Sequence, residues 1–414
     1  MQFKTLEAWL THIGSLRPEK IDLGLARVRE LAERLDLLKM KCPVITIGGT
    51  NGKGSTVAGL EAIFLAQGFK VGAFTSPYLF RHTEEVRING VETTDDIFCQ
   101  AFAQVEEARG DVSLTLFEFN TLAALVIFRS FDLDVILLEV GLGGRLDAVN
   151  IIDADVAVVT SIAIDHADWL GNTRELISRE KAGIFREGTP VVCGDSEPPS
   201  PLILHAAELK APLYCQGKDF YFNEIGSSWS WQSARTRFDD LPLPSLALQN
   251  MSTVLMTIEV MQAQLPVSRD AIDSGLQSVR LPGRLQVMEG PVVRLLDVSH
   301  NPAAAVFLAN ALSKRTVRGK TRAVFSMLAD KDIPGTLVVM KEWVSEWYIA
   351  ELPVKRAATI ERLQKAFAET DITAVHAYAS IEDAYVSAMN AASPEDLVVV
   401  FGSFYTVAGV KGVL

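Results

Sequence analysis

Lys53 closes the run Val44 to Thr56, V-I-T-I-G-G-T-N-G-K-G-S-T, where an apolar strand pattern ends in glycines and gives way to a helix pattern. The backbone N–H groups of such a turn form a cradle for nucleotide phosphates, and the lysine adds a mobile positive charge over the β- and γ-phosphates. The fit to G-x-x-x-x-G-K-[ST] is partial. Gly54 stands where a metal-binding hydroxyl is usual, and the first hydroxyl comes one place later, at Ser55. A metal accompanying a triphosphate therefore needs ligands from elsewhere in the chain.

Three further residues follow strand-like runs. Ser76 lies just past Val71–Phe74, in F-T-S-P-Y-L; taken alone, it reads as a turn serine. Glu139 ends the apolar run Val135–Leu138 and precedes Val140-Gly-Leu-Gly-Gly-Arg145. A carboxylate at the tip of a buried strand is expensive unless paired, here with Arg145, or bound to metal. The glycines after it let a backbone approach something closely. His166 follows Thr160-Ser-Ile-Ala-Ile-Asp165. In a parallel sheet these three tips are level, at the edge where open α/β sheets bind ligands, and they form a candidate hard-cation site. Lys181, in R-E-K-A-G, reads by itself as a solvated helix lysine. Leu295-Leu-Asp297-Val-Ser-His300-Asn301-Pro302 repeats the strand-then-polar theme, although Asp, His and Asn before a helix are also ordinary capping residues.

The elements that must position these groups alternate between short β-rich runs and helical patterns, the signature of parallel α/β sheets. Strands are expected at Val44–Gly48, Val71–Phe74, Asp134–Val140, Asp155–Thr160 and Pro190–Cys193, with helices at Ser55–Gln67, Asp95–Ala108, Phe117–Phe131 and Thr173–Gly183. Asn89-Gly90 marks a tight hairpin. The aromatic–polar alternation from Phe220 to Arg237 predicts a two-stranded hairpin on the side of the first domain, followed by a Leu241–Pro244 connector and a helix over Asn250–Gln264. A hinge at Leu281–Arg284 separates residues 1–283 from a second α/β series in 284–414, running from a Val292–Val298 strand to a Leu397–Phe401 strand. A reaction chamber between the two domains is the expectation.

With 49% hydrophobic residues among 414, the chain can bury two cores. Mean hydropathy is +0.20, but no apolar run approaches the ~18 residues of a spanning helix. No export signal is visible at the N-terminus. The four cysteines lack C-x-x-C spacing, consistent with thiols in a reducing compartment. A net charge of −12 argues against a nucleic-acid surface. A cytoplasmic monomer acting on small molecules, without membrane or nucleic-acid partners, is expected.

Taken together, the motifs resemble the folylpolyglutamate synthase family, in particular the bacterial enzymes that are also dihydrofolate synthases, within the wider Mur-ligase group. The resemblance runs from Ile21-Asp-Leu-Gly-Leu25 through G-T-N-G-K-G-S, T-S-P-Y-L, E-V-G-L-G-G-R-L-D-A-V-N, S-I-A-I-D-H, R-E-K-A-G-I, L-P-G-R, L-D-V-S-H-N-P and Asp330-Lys-Asp332 to Phe401-Gly-Ser-Phe-Tyr405. It implies a P-loop ATPase-like, mostly parallel N-terminal sheet domain and a smaller Rossmann-like C-terminal domain.

By the same resemblance, Thr50, Asn51, Gly52, Lys53, Gly54, Ser55, Asn250, Arg284 and Asp297 would contact ATP, with His300 close by. Ser76, Glu139 and His166 would bind Mg²⁺. Lys181 matches a lysine the family carries as a carbamate, which would turn it into an anionic metal ligand. Lys53, Lys181, Glu139 and His166 would then be the catalytic set. Asp22, Leu23, Gly24, Thr115, Leu116, Phe117, Glu118, Leu146, Asp147 and Ala148 match segments that embrace the pterin. Tyr78, Val149 and Ala303 depart from the family's usual His, Thr and bulkier polar residue.

The implied activity is ATP-dependent addition of L-glutamate to dihydropteroate and to reduced folates through an acyl phosphate. A Mur-type ligase for UDP-sugar peptides and a folylpolyglutamate synthase without the first activity are the alternatives. A non-enzymatic nucleotide switch is a third, but it leaves Glu139, His166 and Lys181 without a shared purpose.

Overall fold

In a computed structural model, which describes residues 3–17 and 22–414, the chain divides into two units, one ending at Val279 and one beginning at Arg280. Ile21, which opens the first motif, lies outside the described residues.

The first unit is built on eight strands: β1 (Val44–Gly48), β2 (Val71–Phe74), β3 (Val86–Ile88), β4 (Val91–Glu92), β5 (Val135–Glu139), β6 (Val156–Val159), β7 (Val191–Cys193) and β8 (Leu213–Cys215). Their order is β4-β3-β2-β5-β1-β6-β7-β8. From β2 to β8 all pairs are parallel, and every residue of β1, β2, β5, β6 and β7 is buried. Continuous Val/Ile/Leu runs are what a sheet covered on both faces requires. The β3–β4 hairpin turns at Asn89 and Gly90, whose φ of 54° and 77° are the left-handed values that a tight two-residue turn demands. β1 lies centrally, between β5 and β6, and the chain reverses its direction of travel across the sheet there. This is the topological switch point where a crevice opens beyond the strand ends.

Beyond β8 the expected hairpin forms and is extended by a strand that the sequence did not suggest: β9 (Phe220–Ile225), β10 (Ser228–Ser233) and β11 (Arg237–Pro242) make a three-stranded antiparallel sheet in the order β11-β10-β9. The third strand exists because it completes the burial of the β10 tryptophans. Phe238 stacks on Trp231 at 5.9 Å, and Trp229 Nε1 donates to Pro242 O at 3.0 Å. Trp231 Nε1 reaches Ser252 O at 3.2 Å, anchoring this sheet to the helix Leu248–Met261. Helices Leu6–Leu16, Ala26–Arg34, Ser200–Glu208 and Arg269–Ser278 also form in this unit.

The second unit carries β12 (Gln286–Met288), β13 (Val293–Asp297), β14 (Thr321–Phe325), β15 (Glu346–Ala350), β16 (Val375–Tyr378) and β17 (Leu397–Phe401). Their order is β12-β13-β17-β14-β15-β16, parallel except for β12, which runs antiparallel to β13. Phe325, Trp347, Phe367 and Phe401 interlock in its core, with ring centroids as close as 5.0 Å. Among the described residues no helix is long and apolar enough to cross a membrane.

Candidate active site

β1 ends at Gly48, and the loop after it turns through Gly49 at φ 137° and Gly52 at φ 90° before the helix Lys53–Gln67 begins. These values exclude a side chain, and so does the space. A Cβ on Gly49 would lie 1.9 Å from Thr160 Oγ1, and one on Gly52 would lie 2.3 Å from Asn250 Oδ1. The loop is thus gripped between the segment after β6 and the start of the helix Leu248–Met261. Thr50 N donates to Ser161 O at 2.7 Å, Thr50 Oγ1 bonds both polar groups of the Ala163 main chain at 3.1 Å, and Asn51 O accepts from Thr160 Oγ1 at 2.7 Å. Lys53 Nζ folds back onto Gly49 O and Thr50 O, each at 3.2 Å. Gly54 and Ser55 continue the first helical turn, with Ser55 buried. Rigid glycines, a helix N-terminus and a lysine over the loop fit a polyphosphate.

Level with this loop lies Glu139, the last residue of β5, in register with Ile47 of β1. On the other side of β5, the Ser76 N–H donates to Glu139 Oε2 at 3.3 Å. Arg145, the alternative partner for Glu139, pairs with Glu180 instead, at 3.0 Å. His166 caps the short helix Ala167–Leu170 in a left-handed conformation, φ 52°, and its N–H bonds Asp165 Oδ1 at 2.8 Å. Among the described residues no three His, Cys, Asp or Glu side chains cluster as a metal site.

Lys181 is only 3% exposed, which corrects the solvated reading that its sequence context gives in isolation. The glycines after Glu139 explain its burial. A Cβ on Gly144 would lie 2.8 Å from Glu180 O and 3.0 Å from Lys181 O, so this run lies directly on the last turn of the helix Arg174–Ala182. Burial pushes the Lys181 ammonium down to about 7, assisted by the charge of Lys53 and opposed by Asp165 and Asp147. The two lysines and two carboxylates thus share one electrostatic neighbourhood. Asp147 is itself pushed up to about 7 by burial, against N–H groups from Leu142, Val149 and Gly141 and the charge of Lys53.

The remaining first-unit candidates gather around the start of the helix Leu116–Arg129. Thr115 and Glu118 form a reciprocal capping box, with Glu118 Oε2 accepting from Thr115 N at 2.8 Å. Arg27, which sequence reading did not single out, links Glu118 at 3.0 Å to Asp22 at 3.1 Å. Phe117 stacks on Phe74 at 5.9 Å, and a Cβ on Gly141 would lie 2.6 Å from Phe117 Cζ, which places this ring beside the β5 tip. Leu116 is exposed; Leu23, Gly24 and Leu146 are half-buried; Ala148 is buried.

In the second unit, Asp297 ends β13 and accepts from Leu285 N at 2.9 Å and Ser299 N at 2.8 Å. Arg284 Cζ lies 4.9 Å from the centroid of the Phe404 ring, and the His300 ring lies 6.5 Å from it. Asp297, Arg284 and His300 therefore share one neighbourhood beyond the paired ends of β13 and β17.

Residues 283–404 match the Mur ligase, glutamate ligase domain. Over 410 residues the chain is 45% identical to the dihydrofolate synthase/folylpolyglutamate synthase of Escherichia coli K12, covering 99% of this chain and 95% of that protein. The chain belongs to the dihydrofolate synthase/folylpolyglutamate synthase family.

The Haemophilus influenzae member is 40% identical over 433 residues, covering 99% of this chain and 98% of that one. Among solved structures, E. coli FolC in complex with DHPP and ADP gives a TM-score of 0.95 at 45% identity, over 99% of this chain and 97% of that chain. A bifunctional folylpolyglutamate synthase/dihydrofolate synthase with Mn, AMPPNP and L-glutamate bound gives 0.93 at 47% identity, over 99% and 98%. Members of this family are ATP-dependent ligases.

The three departures from the family pattern have different settings. Tyr78 is exposed and meets the His82 ring edge-on at 5.6 Å. Val149 is fully buried in the 3₁₀ turn Ala148–Ile151, where an apolar side chain needs no partner. Ala303 is half-buried in the first turn of the helix Pro302–Ser313. Thr160 and Ser161, which brace the phosphate loop, are functional neighbours that sequence reading passed over, although both lie next to or inside the S-I-A-I-D-H motif.

Proposed function

We propose that this chain uses ATP to add L-glutamate to dihydropteroate and to reduced folates. The names of its relatives point to these substrates, and one observation on the chain itself carries the reading: Glu139 stands at the tip of β5 between the phosphate loop after β1 and Ser76, two residues past β2. In the proposed reaction a carboxylate oxygen of the pteroate or folate attacks the γ-phosphorus of ATP, and the bond to ADP breaks. The glutamate amino group then attacks the acyl carbon, phosphate leaves, and the nitrogen gives up a proton.

Lys53 and the loop amides hold the phosphates and offset the charge on the phosphoryl group in flight. Asn250 of the first unit, and Arg284, Asp297 and His300 of the second, are the remaining nucleotide candidates. Ser76, Glu139 and His166, with Lys181 as a carbamate, would hold Mg²⁺, which neutralises phosphate charge when bound. Their oxygen-rich chemistry fits that ion. The segments at Asp22–Gly24, Thr115–Glu118 and Leu146–Ala148 would hold the pterin, which Phe117 can face with its ring.

Action as a monomer is part of this proposal. The net charge of −12 supports small molecules over nucleic acid, and the free thiols support a reducing cytoplasm. The test is incubation of purified protein with ATP, Mg²⁺ and L-glutamate, once with dihydropteroate and once with a reduced folate. ADP release with a product heavier by one glutamyl unit is expected in both. ADP release only with a UDP-sugar peptide would move the chain to the cell-wall ligases.

A further inference from the structure

Asp195 stands two residues past β7 and is 7% exposed. Its Oδ2 accepts from Ile162 N at 2.8 Å, and both its oxygens accept from Arg174 Nη2, at 3.0 and 2.9 Å. Arg174 Nε in turn donates to Ile162 O at 2.8 Å. One ion pair therefore holds both polar groups of a single buried peptide residue. Further bonds link the pair to residue 197: Glu197 N donates to Asp195 Oδ1, and Arg174 Nη2 donates to Glu197 O, each at 3.0 Å.

The residues flanking Ile162 are the ones that grip the phosphate loop. Ser161 O accepts from Thr50 N at 2.7 Å, Ser161 Oγ accepts from Asn51 N at 3.2 Å, and Ala163 N donates to Thr50 Oγ1 at 3.1 Å. The opposite wall of the loop is fastened beside Asp195. Gly194 O accepts from Gln249 Nε2 at 2.8 Å, next to Asn250, which lies against Gly52. Gly194 also packs so closely that a Cβ there would lie 2.3 Å from Thr253 Oγ1 of the same helix.

We propose that Asp195, locked by Arg174, is the positioning residue of the nucleotide loop, setting Thr50 and Asn51 through Ile162. The inference rests on the nucleotide-loop reading given above. Asp195 touches no substrate in this scheme. It fixes the direction of the loop amides, and a loop whose amides diverge binds phosphate less tightly.

The experiment measures AMPPNP binding by calorimetry in the presence of Mg²⁺, together with KM for ATP and for L-glutamate. Asp195→Ala, which removes every acceptor, is expected to weaken AMPPNP binding by about tenfold, the usual effect of deleting a charged hydrogen-bond acceptor. KM for ATP should rise in parallel, with KM for glutamate unchanged. Asp195→Asn keeps an acceptor for the Ile162 amide and should recover part of the affinity. Arg174→Gln, a change on a half-exposed side chain, should weaken binding in the same direction and serves if Asp195→Ala does not fold. Unchanged nucleotide affinity in these variants overturns the proposal, as does a rise in both KM values together with a lower melting temperature. Lys53→Ala separates the two levels. If it binds AMPPNP as well as wild type, the loop reading falls and this inference with it; if it binds poorly while the Asp195 and Arg174 variants bind normally, only the inference falls.

Discussion

Gly52 lies flat against the side chain of Asn250, so close that a Cβ on the glycine would stand 2.3 Å from Asn250 Oδ1 and 2.9 Å from its Nδ2. The same glycine holds φ at 90°, a conformation that strains any other residue. Gly52→Ala therefore suffers twice, from backbone strain and from collision with the amide. AMPPNP affinity measured by calorimetry should fall by at least about tenfold. Full affinity in Gly52→Ala alone would contradict the loop geometry.

Glu139 is 5% exposed and already accepts the Ser76 N–H. Glu139→Gln keeps an oxygen for that bond while removing the charge a divalent ion needs. Mn²⁺ affinity, read from the free-ion EPR signal, should drop by at least about tenfold. The melting temperature of the metal-free protein should not fall, because a neutral amide is easier to bury than a carboxylate. Unaltered Mn²⁺ binding would remove Glu139 from the metal set.

How far the sequence revealed this arrangement depended on whether a signal was local. Glu139 was legible because a charge ending an apolar run is anomalous wherever the run folds. The phosphate loop was legible because its glycines and Lys53 are contiguous. Lys181 was not: its burial comes from Gly144 lying on the helix end, a contact between segments far apart in the chain. The family resemblance supplied what periodicity could not. Arg27 and Asp195 escaped notice for a similar reason, since an ion pair across the chain leaves no pattern in either segment. The strand β11 was hidden because Arg237, Asp239 and Asp240 look like a solvated turn, and only the buried Trp229 and Trp231 next to it call for a third strand.

Glu85 offers a pH test in the metal-free protein. Burial pushes its carboxyl from 4.5 up to about 8, against the bond from Asn120 and with the nearby charges of Glu139 and Glu84 adding to the rise. Between those two values the folded protein keeps a proton that the unfolded chain has released. Stability contributed at Glu85 is therefore intact below pH 4.5 and is lost as pH rises toward 8. Glu85→Gln cannot ionise and still offers Asn120 an oxygen. In urea unfolding, its stability relative to wild type should improve between about pH 5 and about pH 8. An offset that stays constant with pH would mean Glu85 is not held neutral.

Lys181 titrates with the opposite sign. Its folded value of about 7 lies below the ordinary 10.5, so between them the unfolded chain binds the extra proton. The penalty for burying the ammonium is fully present below pH 7 and is relieved as pH rises toward 10.5. An amine that is substantially neutral near pH 7 can attack carbon dioxide, forming a carbamate and releasing a proton. In the proposed site the product would supply an anionic oxygen beside Ser76, Glu139 and His166. Enzyme dialysed into carbon-dioxide-free buffer below pH 7 should lose kcat and regain it on adding bicarbonate. A ¹³C-bicarbonate carbamate signal should be present in wild type and absent in Lys181→Met, whose kcat should fall by on the order of a hundredfold. The Met variant should also lose the stability gain between pH 7 and 10.5 that wild type shows without bicarbonate. Turnover indifferent to bicarbonate, with no carbamate signal, would leave Lys181 as a buried amine and Mg²⁺ short of one ligand.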